Sequence, residues 1–109
     1  MEKSKIETYL GFCIRARKIV FGVDDVEKQK RDVFLLVADE TLGTSSMKTM
    51  IKAQETFSCP LYVTPKGVLG EVLHRAAVKA AAIKDKNLAL AICAAAREPQ
   101  FKLYSGGNH

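Results

Sequence analysis

Short apolar runs alternate along this chain with longer segments in which apolar residues recur at every third or fourth position. The short runs favour strands, and the three- to four-residue repeat is typical of amphipathic helices. The pattern predicts helices over 3–17, 23–31, 45–57 and 67–82, and strands over 18–21, 33–38, 61–63 and 88–93. Short connections between these elements favour an α/β fold, a three-layer α/β/α sandwich with a small mixed sheet of about four strands.

Two of these segments carry further detail. The run 33–38, VFLLVA, is continuously apolar, as in a strand that is buried on both faces in the middle of a sheet. Before the helix over 45–57, the hydroxyls of Thr44, Ser45 and Ser46 are available to cap its first turn.

The segment from Arg15 to Arg31 joins a cationic cluster, a strand, a glycine and a helix start. Gly22 suits a tight strand-to-helix turn, and the amides that follow it lack intrahelical partners and attract anions. Alternatively, Asp24 or Asp25 caps this helix, which explains the acidic residues without any ligand. If the chain folds back, cations would surround the helix start, and phosphate would be their natural partner. These cations are Arg15, Arg17, Lys18 and Lys28.

Composition narrows the choice of function. The 109 residues are expected to form a single domain over 1–104, followed by a flexible tail over 105–109. The net charge of +5 and the pI of about 9.2 favour acidic partners such as nucleic acid. The absence of tryptophan and the small number of aromatic residues argue against a stacking surface for single strands.

The three cysteines, Cys13, Cys59 and Cys93, are far apart and lie in apolar surroundings. They are interpreted as buried thiols in a reducing compartment, and their spacing to the histidines matches no metal motif. The N-terminus lacks the apolar core of a signal peptide, and no apolar run has the length of a membrane span. We therefore predict a cytoplasmic protein that needs no cofactor or metal.

Motifs for catalysis are absent from the sequence: there is no GxSxG, GxxxxGK[ST], HExxH or GxGxxG. His74 is expected inside the fourth helix without a partner. Cys59 is more readily interpreted as a buried cysteine than as a nucleophile. The pair Gly67-x-x-Gly70 is similar to the loop of KH domains, but a strand precedes it, so a glycine-rich helix start is favoured. A small α/β enzyme is the least supported interpretation.

Several segments together resemble the kink-turn RNA-binding ribosomal protein family, of the archaeal ribosomal protein L-seven-Ae type, with the bacterial YlxQ-like members closest. The similarity spans residues 5–96. The segments that carry it are Arg15-Ala16-Arg17-Lys18-Ile19-Val20-x-Gly22, the acidic pair and Lys28, the strand over 34–38 with Asp39-Glu40, the helix start over 44–52, Cys59-Pro60, Leu69-Gly70 and a final apolar strand.

This resemblance implies a three-layer α/β/α fold and a non-enzymatic protein that binds internal RNA bends, in which sheared G·A pairs follow a short bulge. It implies that Gly22 lets the backbone approach the RNA, that Asp25 accepts from a guanine edge, and that Lys28 reaches a guanine carbonyl or a phosphate. The implied RNA-backbone contacts are Arg15, Arg17 and Lys18, and the implied apolar loop against the bulged nucleotides is Cys93, Ala94 and Ala95.

Two departures from the family pattern are visible. Asp24 stands where the family has asparagine, so an amide that donates to a guanine carbonyl becomes a carboxylate that only accepts. The segment 69–88 is longer, with an alanine-rich stretch around residues 76–84 for which the sequence gives no purpose. We expect an RNA-binding, ribosome-associated protein; the alternative is a protein-interaction module that keeps the fold but has lost RNA affinity.

Overall fold

Helices and strands alternate along the part of the chain that this computed structural model describes, residues 5–96 and 102–103. The helices are α1 (Lys5–Arg15), α2 (Val23–Glu27), α3 (Thr44–Phe57), α4 (Val68–Leu73) and α5 (Lys86–Ala95). The strands are β1 (Ile19–Phe21), β2 (Leu35–Asp39), β3 (Leu61–Thr64), β4 (Ala80–Ile83) and β5 (Lys102–Leu103). The predicted helix start at residues 3–4 and the predicted tail at 105–109 lie outside the described residues.

The strands form one mixed sheet in the order β1-β4-β2-β3-β5. β2 and β3 run parallel, whereas β4 pairs antiparallel with both β1 and β2, and β5 pairs antiparallel with β3. The register places Ile19 opposite Ile83 and Phe21 opposite Ala81. The end of β1 therefore lies beside the start of β4, and the start of β1 lies beside the end of β4.

Helices cover both faces of the sheet, which confirms the predicted α/β/α sandwich. α1, α4 and α5 pack on one face, and α2 and α3 pack on the other. In β2, Leu35 and Val37 face the first helical layer, and Leu36 and Ala38 face the second. Every residue of β2 is buried, as its continuous apolar run predicted.

The predicted helix over 67–82 is wrong in its second half. α4 ends at Leu73, and His74 has the left-handed φ of 57° that often terminates a helix. Residues 80–83 then form β4, which is hydrogen-bonded between β1 and β2 and is buried along its whole length. Alanine favours helices in isolation, but burial on both faces of a sheet overrides that preference. The alanine-rich stretch thus supplies an interior strand.

The predicted strand over 88–93 is a helix instead. Asp85 caps the start of α5, since its Oδ1 accepts a hydrogen bond from the Leu88 N–H at 2.8 Å. Ile92 is fully buried, whereas Leu90 is 59% exposed. In a strand these two residues would share one face. The apparent alternation of apolar residues here is incidental, because the buried positions follow the helical repeat.

Two helix boundaries also differ from prediction. α2 ends at Glu27 rather than near residue 31, because no residue over 27–32 is buried to hold a longer helix against the core. The hydroxyls of residues 44–46 do not cap α3, whose N-cap is Gly43 without a side-chain hydrogen bond.

A buried carboxylate ties the end of β2 to the start of α4. Asp39 is 2% exposed and accepts hydrogen bonds from the Thr41 N–H (2.8 Å), the Thr41 hydroxyl (2.6 Å) and the Gly67 N–H (2.8 Å). Burial by itself would raise the pKa of Asp39, but these hydrogen bonds and the charge of Lys79 outweigh it and hold the pKa below its ordinary value. Ionised Asp39 therefore stabilises the attachment of α4 to the sheet.

We predict that Asp39→Asn lowers the free energy of unfolding at neutral pH by about 1.5–3 kcal/mol, because an amide cannot accept all the hydrogen bonds that the carboxylate accepts. The folded-state pKa of Asp39 lies below the unfolded value of about 3.9, so its stabilisation is complete above about pH 5 and is lost as the pH falls through the folded-state pKa. Urea unfolding across this range should show the curves of the wild type and the Asp39→Asn variant converging in acid.

The control for this prediction is Glu55→Gln on the exposed face of α3, which should leave stability and its pH dependence unchanged. A wild-type advantage over Asp39→Asn that stayed constant down to about pH 3 would contradict the role of the ionised carboxylate.

Candidate nucleic-acid interface

The turn between β1 and α2 lies at one end of the sheet, and the sequence predicted a binding site there. Gly22 has a φ of 90°, which L side chains rarely adopt, and the chain passes directly from Phe21 through it into α2. The Gly22 N–H donates to the Ala80 carbonyl at 2.8 Å, and the Gly22 carbonyl accepts from the Val26 N–H at 3.0 Å. The expected tight strand-to-helix turn at Gly22 is confirmed.

This β1–α2 corner, residues 21–25, is open to solvent. A depression of about 420 Å³ lies over it, lined by all five corner residues and by Ser46 of α3. No atom lies within 4 Å of the position that a Cβ on Gly22 would occupy. Neighbouring side chains therefore leave the corner accessible, and a ligand can approach its backbone.

Asp24 and Asp25 place two exposed carboxylates at the corner. The alternative that one of them caps α2 is wrong, because the N-cap is Gly22 and no side chain caps this helix. Within the described residues, neither carboxylate accepts a hydrogen bond or forms an ion pair. Because α2 has only five residues, its peptide dipoles add little positive charge to offset them. Both carboxylates can accept hydrogen bonds from a ligand.

Three cations belong to segments that adjoin the corner, and the sequence analysis identified one of them, Lys28. Lys28 is exposed at the end of α2, about 8 Å along the helix from the corner. Arg75 lies over the Phe21 ring, with Cζ 4.8 Å from the ring centroid. Lys79 immediately precedes the β4 residue whose carbonyl binds the Gly22 N–H. None of the three cations forms a salt bridge with another described residue, although the charge of Lys79 also acts on the buried Asp39 carboxylate.

Sequence reasoning missed Arg75 and Lys79 because it placed them inside a helix. They belong to the α4–β4 loop, residues 74–79. Their four-residue spacing is typical of a solvated helix face, so nothing in the sequence indicated that they are binding residues. Gly70, which is unfavourable inside a helix, was the one local sign that the helix is interrupted.

The α4–β4 loop is anchored at two points. A Cβ on Gly70 would lie 2.9 Å from the Ala76 carbonyl oxygen and 3.0 Å from that of Arg75, so only glycine allows this loop to pack on α4. The Arg75 N–H donates to the Gly70 carbonyl at 2.9 Å. His74, expected inside a helix without a partner, is instead an exposed C-cap whose Nε2 lies 2.7 Å from Oε2 of Glu7 on α1. These contacts hold Arg75 beside the corner.

The cations before β1 lie at the other end of the strand. The Lys18 carbonyl accepts from the Lys84 N–H at 2.7 Å, at the opposite end of the β1–β4 pair from Gly22. Arg17 is exposed in a turn with a φ of 58°. The expectation that Arg15, Arg17 and Lys18 surround the start of α2 is wrong. β1 separates Arg17 and Lys18 from it by about 10 Å of extended chain, and the Arg15 side chain lies over the Phe12 ring of α1.

The expected apolar loop at Cys93, Ala94 and Ala95 is also wrong, because these residues belong to α5. Cys93 and Ala95 are half-buried against the core, and Ala94 is exposed on the helix. The loop that lies beside the corner is the α4–β4 loop.

Other candidate chemistry is weakly supported. Burial raises the pKa of Cys13 and of Cys59 to about 11, which confirms two buried thiols that are poor nucleophiles at neutral pH. Cys93 is only half-buried, and burial raises its pKa as well. Gly67 is the N-cap of α4, so Gly67-x-x-Gly70 is a helix start, as predicted.

The described residues contain no group of three or more His, Cys, Asp or Glu side chains that could hold a metal ion. They also contain no helix that is long and apolar enough to cross a membrane.

Comparisons with known proteins identify a shared fold. No protein-family model matches the chain, and no curated protein matches its sequence. A solved structure of a protein of unknown function from Bacillus halodurans C superposes with a TM-score of 0.74 at 22% sequence identity. The match covers 84% of this chain and 96% of that one. The two proteins share the α/β architecture, and the function must be argued from the site itself.

We predict that Gly70→Ala lowers the free energy of unfolding by about 1–3 kcal/mol, because the added methyl overlaps the loop backbone at residues 75 and 76. Gly11→Ala is a matched control within α1, where the nearest atom to the added Cβ is Arg15 Nη1 at 3.9 Å. This control should raise stability by up to about 1 kcal/mol through helix propensity. Urea unfolding measures both, and equal stability of the two variants would contradict the described packing of the α4–β4 loop.

Proposed function

We propose that this protein is a non-enzymatic, ribosome-associated RNA-binding protein that recognises a kink-turn or a similarly bent RNA. The RNA would contact the β1–α2 corner and the α4–β4 loop. The observation that supports this most directly is an accessible corner with two exposed carboxylates, where Arg75 stacks on Phe21 and where Lys28 and Lys79 belong to the adjoining segments. The net charge of +5 and the resemblance to the kink-turn RNA-binding ribosomal protein family favour the same function.

The mixture of charges favours bent RNA over a regular duplex. In an A-form RNA helix the major groove is too narrow for side chains to read base edges. A protein that binds such a helix therefore contacts mainly phosphates and 2′-hydroxyls. Phosphates are attracted by the three cations but repelled by Asp24 and Asp25. A bend with non-canonical pairs exposes base N–H groups, which can donate to both carboxylates while the flanking phosphates meet the cations.

Each corner residue then has a defined role. Gly22 lets the RNA approach the backbone, and Asp25 accepts from the N–H groups of a guanine edge. Lys28 donates to a guanine carbonyl or to a phosphate. Arg75 and Lys79 bind phosphates on the side of the α4–β4 loop, and Arg75 is supported there by the Phe21 ring.

We predict that Lys28→Ala and Arg75→Ala each weaken binding to a kink-turn RNA by about 5- to 100-fold, and that each phosphate contact removed reduces the slope of log affinity against log salt by about one. Fluorescence anisotropy with a labelled RNA measures both quantities. The control is Lys86→Ala, an exposed lysine at the start of α5, beyond the opposite end of β4.

A straight duplex of the same length is the second RNA in this experiment. It should bind more weakly than the kink-turn RNA to the wild type, and its binding should depend less on Lys28. Equal affinity of the wild type for both RNAs would reject recognition of the bend.

The two aspartates give a test with opposite signs. We predict that Asp24→Asn strengthens kink-turn binding several-fold, because it removes a negative charge and restores an amide that donates to a guanine carbonyl. Asp25→Asn should weaken binding by about 5- to 100-fold, because the amide loses acceptor capacity toward guanine N–H groups. Titration of each variant with the kink-turn RNA measures its affinity. Equal changes of affinity in the same direction for both variants would contradict the assigned roles.

The alternative function, a protein-interaction module, is favoured by one observation. Asp24 and Asp25 place two negative charges, without a salt bridge to any described residue, at the site where the resemblance implies RNA, and these weaken contacts with phosphates. Capture of partners from a ribonuclease-treated lysate separates the two functions: partners retained after the RNA has been destroyed favour the module, and their loss favours RNA binding.

A further inference from the structure

A second depression, outside the corner, runs between α1 and the end of α4. It has a volume of about 400 Å³. Its wall on α1 is formed by Glu7, Gly11, Ile14 and Arg15, and its opposite wall by Val72, Leu73, His74 and Arg75. We call it the α1–α4 groove. Of its lining residues, the resemblance implied an RNA-backbone contact for Arg15, and the proposed function uses Arg75 at the rim of the corner; the groove between them has no role in either.

Aromatic rings support both arginines of this groove. Cζ of Arg15 lies 5.0 Å from the centroid of the Phe12 ring, and Cζ of Arg75 lies 4.8 Å from that of Phe21. A guanidinium stacked on a ring keeps its in-plane N–H groups free for an acceptor. Neither arginine forms an ion pair within the described part of the chain.

The groove contains one carboxylate, and it already has a partner. Glu7 Oε2 lies 2.7 Å from His74 Nε2, a contact that joins the two walls. The two guanidiniums therefore lie in a groove whose single acidic group is engaged with an imidazole. The remaining charge favours an anion.

Gly11 explains how the groove stays open. Glycine is unfavourable inside a helix, yet it occupies the middle of α1. A Cβ at this position would point toward the Arg15 guanidinium, 3.9 Å from Nη1. A long side chain here would fill the groove and displace Arg15, whereas a methyl group would be in ordinary contact.

We propose that the α1–α4 groove binds a backbone phosphate of the RNA strand that leaves the corner, with Arg15 and Arg75 as the phosphate ligands. This inference rests on the proposed RNA-binding function, because the two sites are continuous: Phe21 lines the corner and also carries Arg75. Guanidinium groups bind phosphate oxygens through paired N–H donors, which is the contact that the two stacked arginines can offer.

The experiment measures the affinity of a kink-turn RNA with long flanking stems as a function of salt. Arg15→Ala should weaken binding about 3- to 10-fold and reduce the salt slope by about one. Gly11→Leu should weaken binding by a similar factor, and by more than Gly11→Ala, whose methyl group would only contact Arg15. Lys86→Ala, an exposed lysine at the start of α5 that does not line the groove, is the charge control and should have no effect on affinity. Urea unfolding of each variant confirms that it is folded.

The outcomes separate this inference from the function on which it rests. If Lys28→Ala weakens binding but Arg15→Ala and Gly11→Leu do not, the groove is not a phosphate site, whereas the proposed RNA-binding function of the corner is retained. If none of the three changes affinity, both proposals fail. Saturable binding of inorganic phosphate that Arg15→Ala abolishes, without any change in RNA affinity, would assign the groove to a free phosphate and overturn the RNA assignment.

Discussion

β4 lies between β1 and β2, and its hydrogen bonds with β1 decide which parts of the chain meet at each end of the sheet. At one end the Gly22 N–H binds the Ala80 carbonyl, and at the other the Lys84 N–H binds the Lys18 carbonyl. Because the α4–β4 loop leads directly into Ala80, this pairing also brings the loop beside the β1–α2 corner. Arg75 and Lys79 owe their positions to the pairing, although they are more than 50 residues from Gly22 in sequence.

The same pairing divides the basic residues into two groups with different surroundings. Lys28, Arg75 and Lys79 belong to segments at the Gly22 end of β1, where the two carboxylates lie, whereas Arg17 and Lys18 lie at its opposite end. A purely cationic surface attracts any phosphate chain. Carboxylates among cations act against partners that bring only phosphates and favour partners that also bring hydrogen-bond donors. Under the proposed function, such a corner would favour discrimination between RNAs more than raw affinity.

Local signals made part of this architecture predictable from sequence. The buried run of β2, the turn at Gly22 and the amphipathic α3 each follow from the spacing of neighbouring residues. β4 could not be predicted in this way, because Ala80–Ile83 becomes a strand only where two other strands and two helical layers surround it. The same error removed the α4–β4 loop from the candidate site, and the misassigned α5 put the expected apolar loop at Cys93. The β1–α2 corner lies within one continuous segment and could therefore be predicted from the sequence. The α4–β4 loop joins it only through the pairing of β4 with β1, which the sequence does not reveal.

Rigid support for this distant loop matters because binding any ligand costs less free energy when the protein groups are already ordered. The backbone contact at Gly70 and the contact between His74 and Glu7 fix the loop on two helices, and the Asp39 carboxylate fixes the helix from which it emerges. Beside this rigid wall, Asp24 and Asp25 present acceptors alone. A partner that fits the corner must therefore direct N–H donors at it, which a sharply bent RNA does through its exposed base edges and a regular duplex does not.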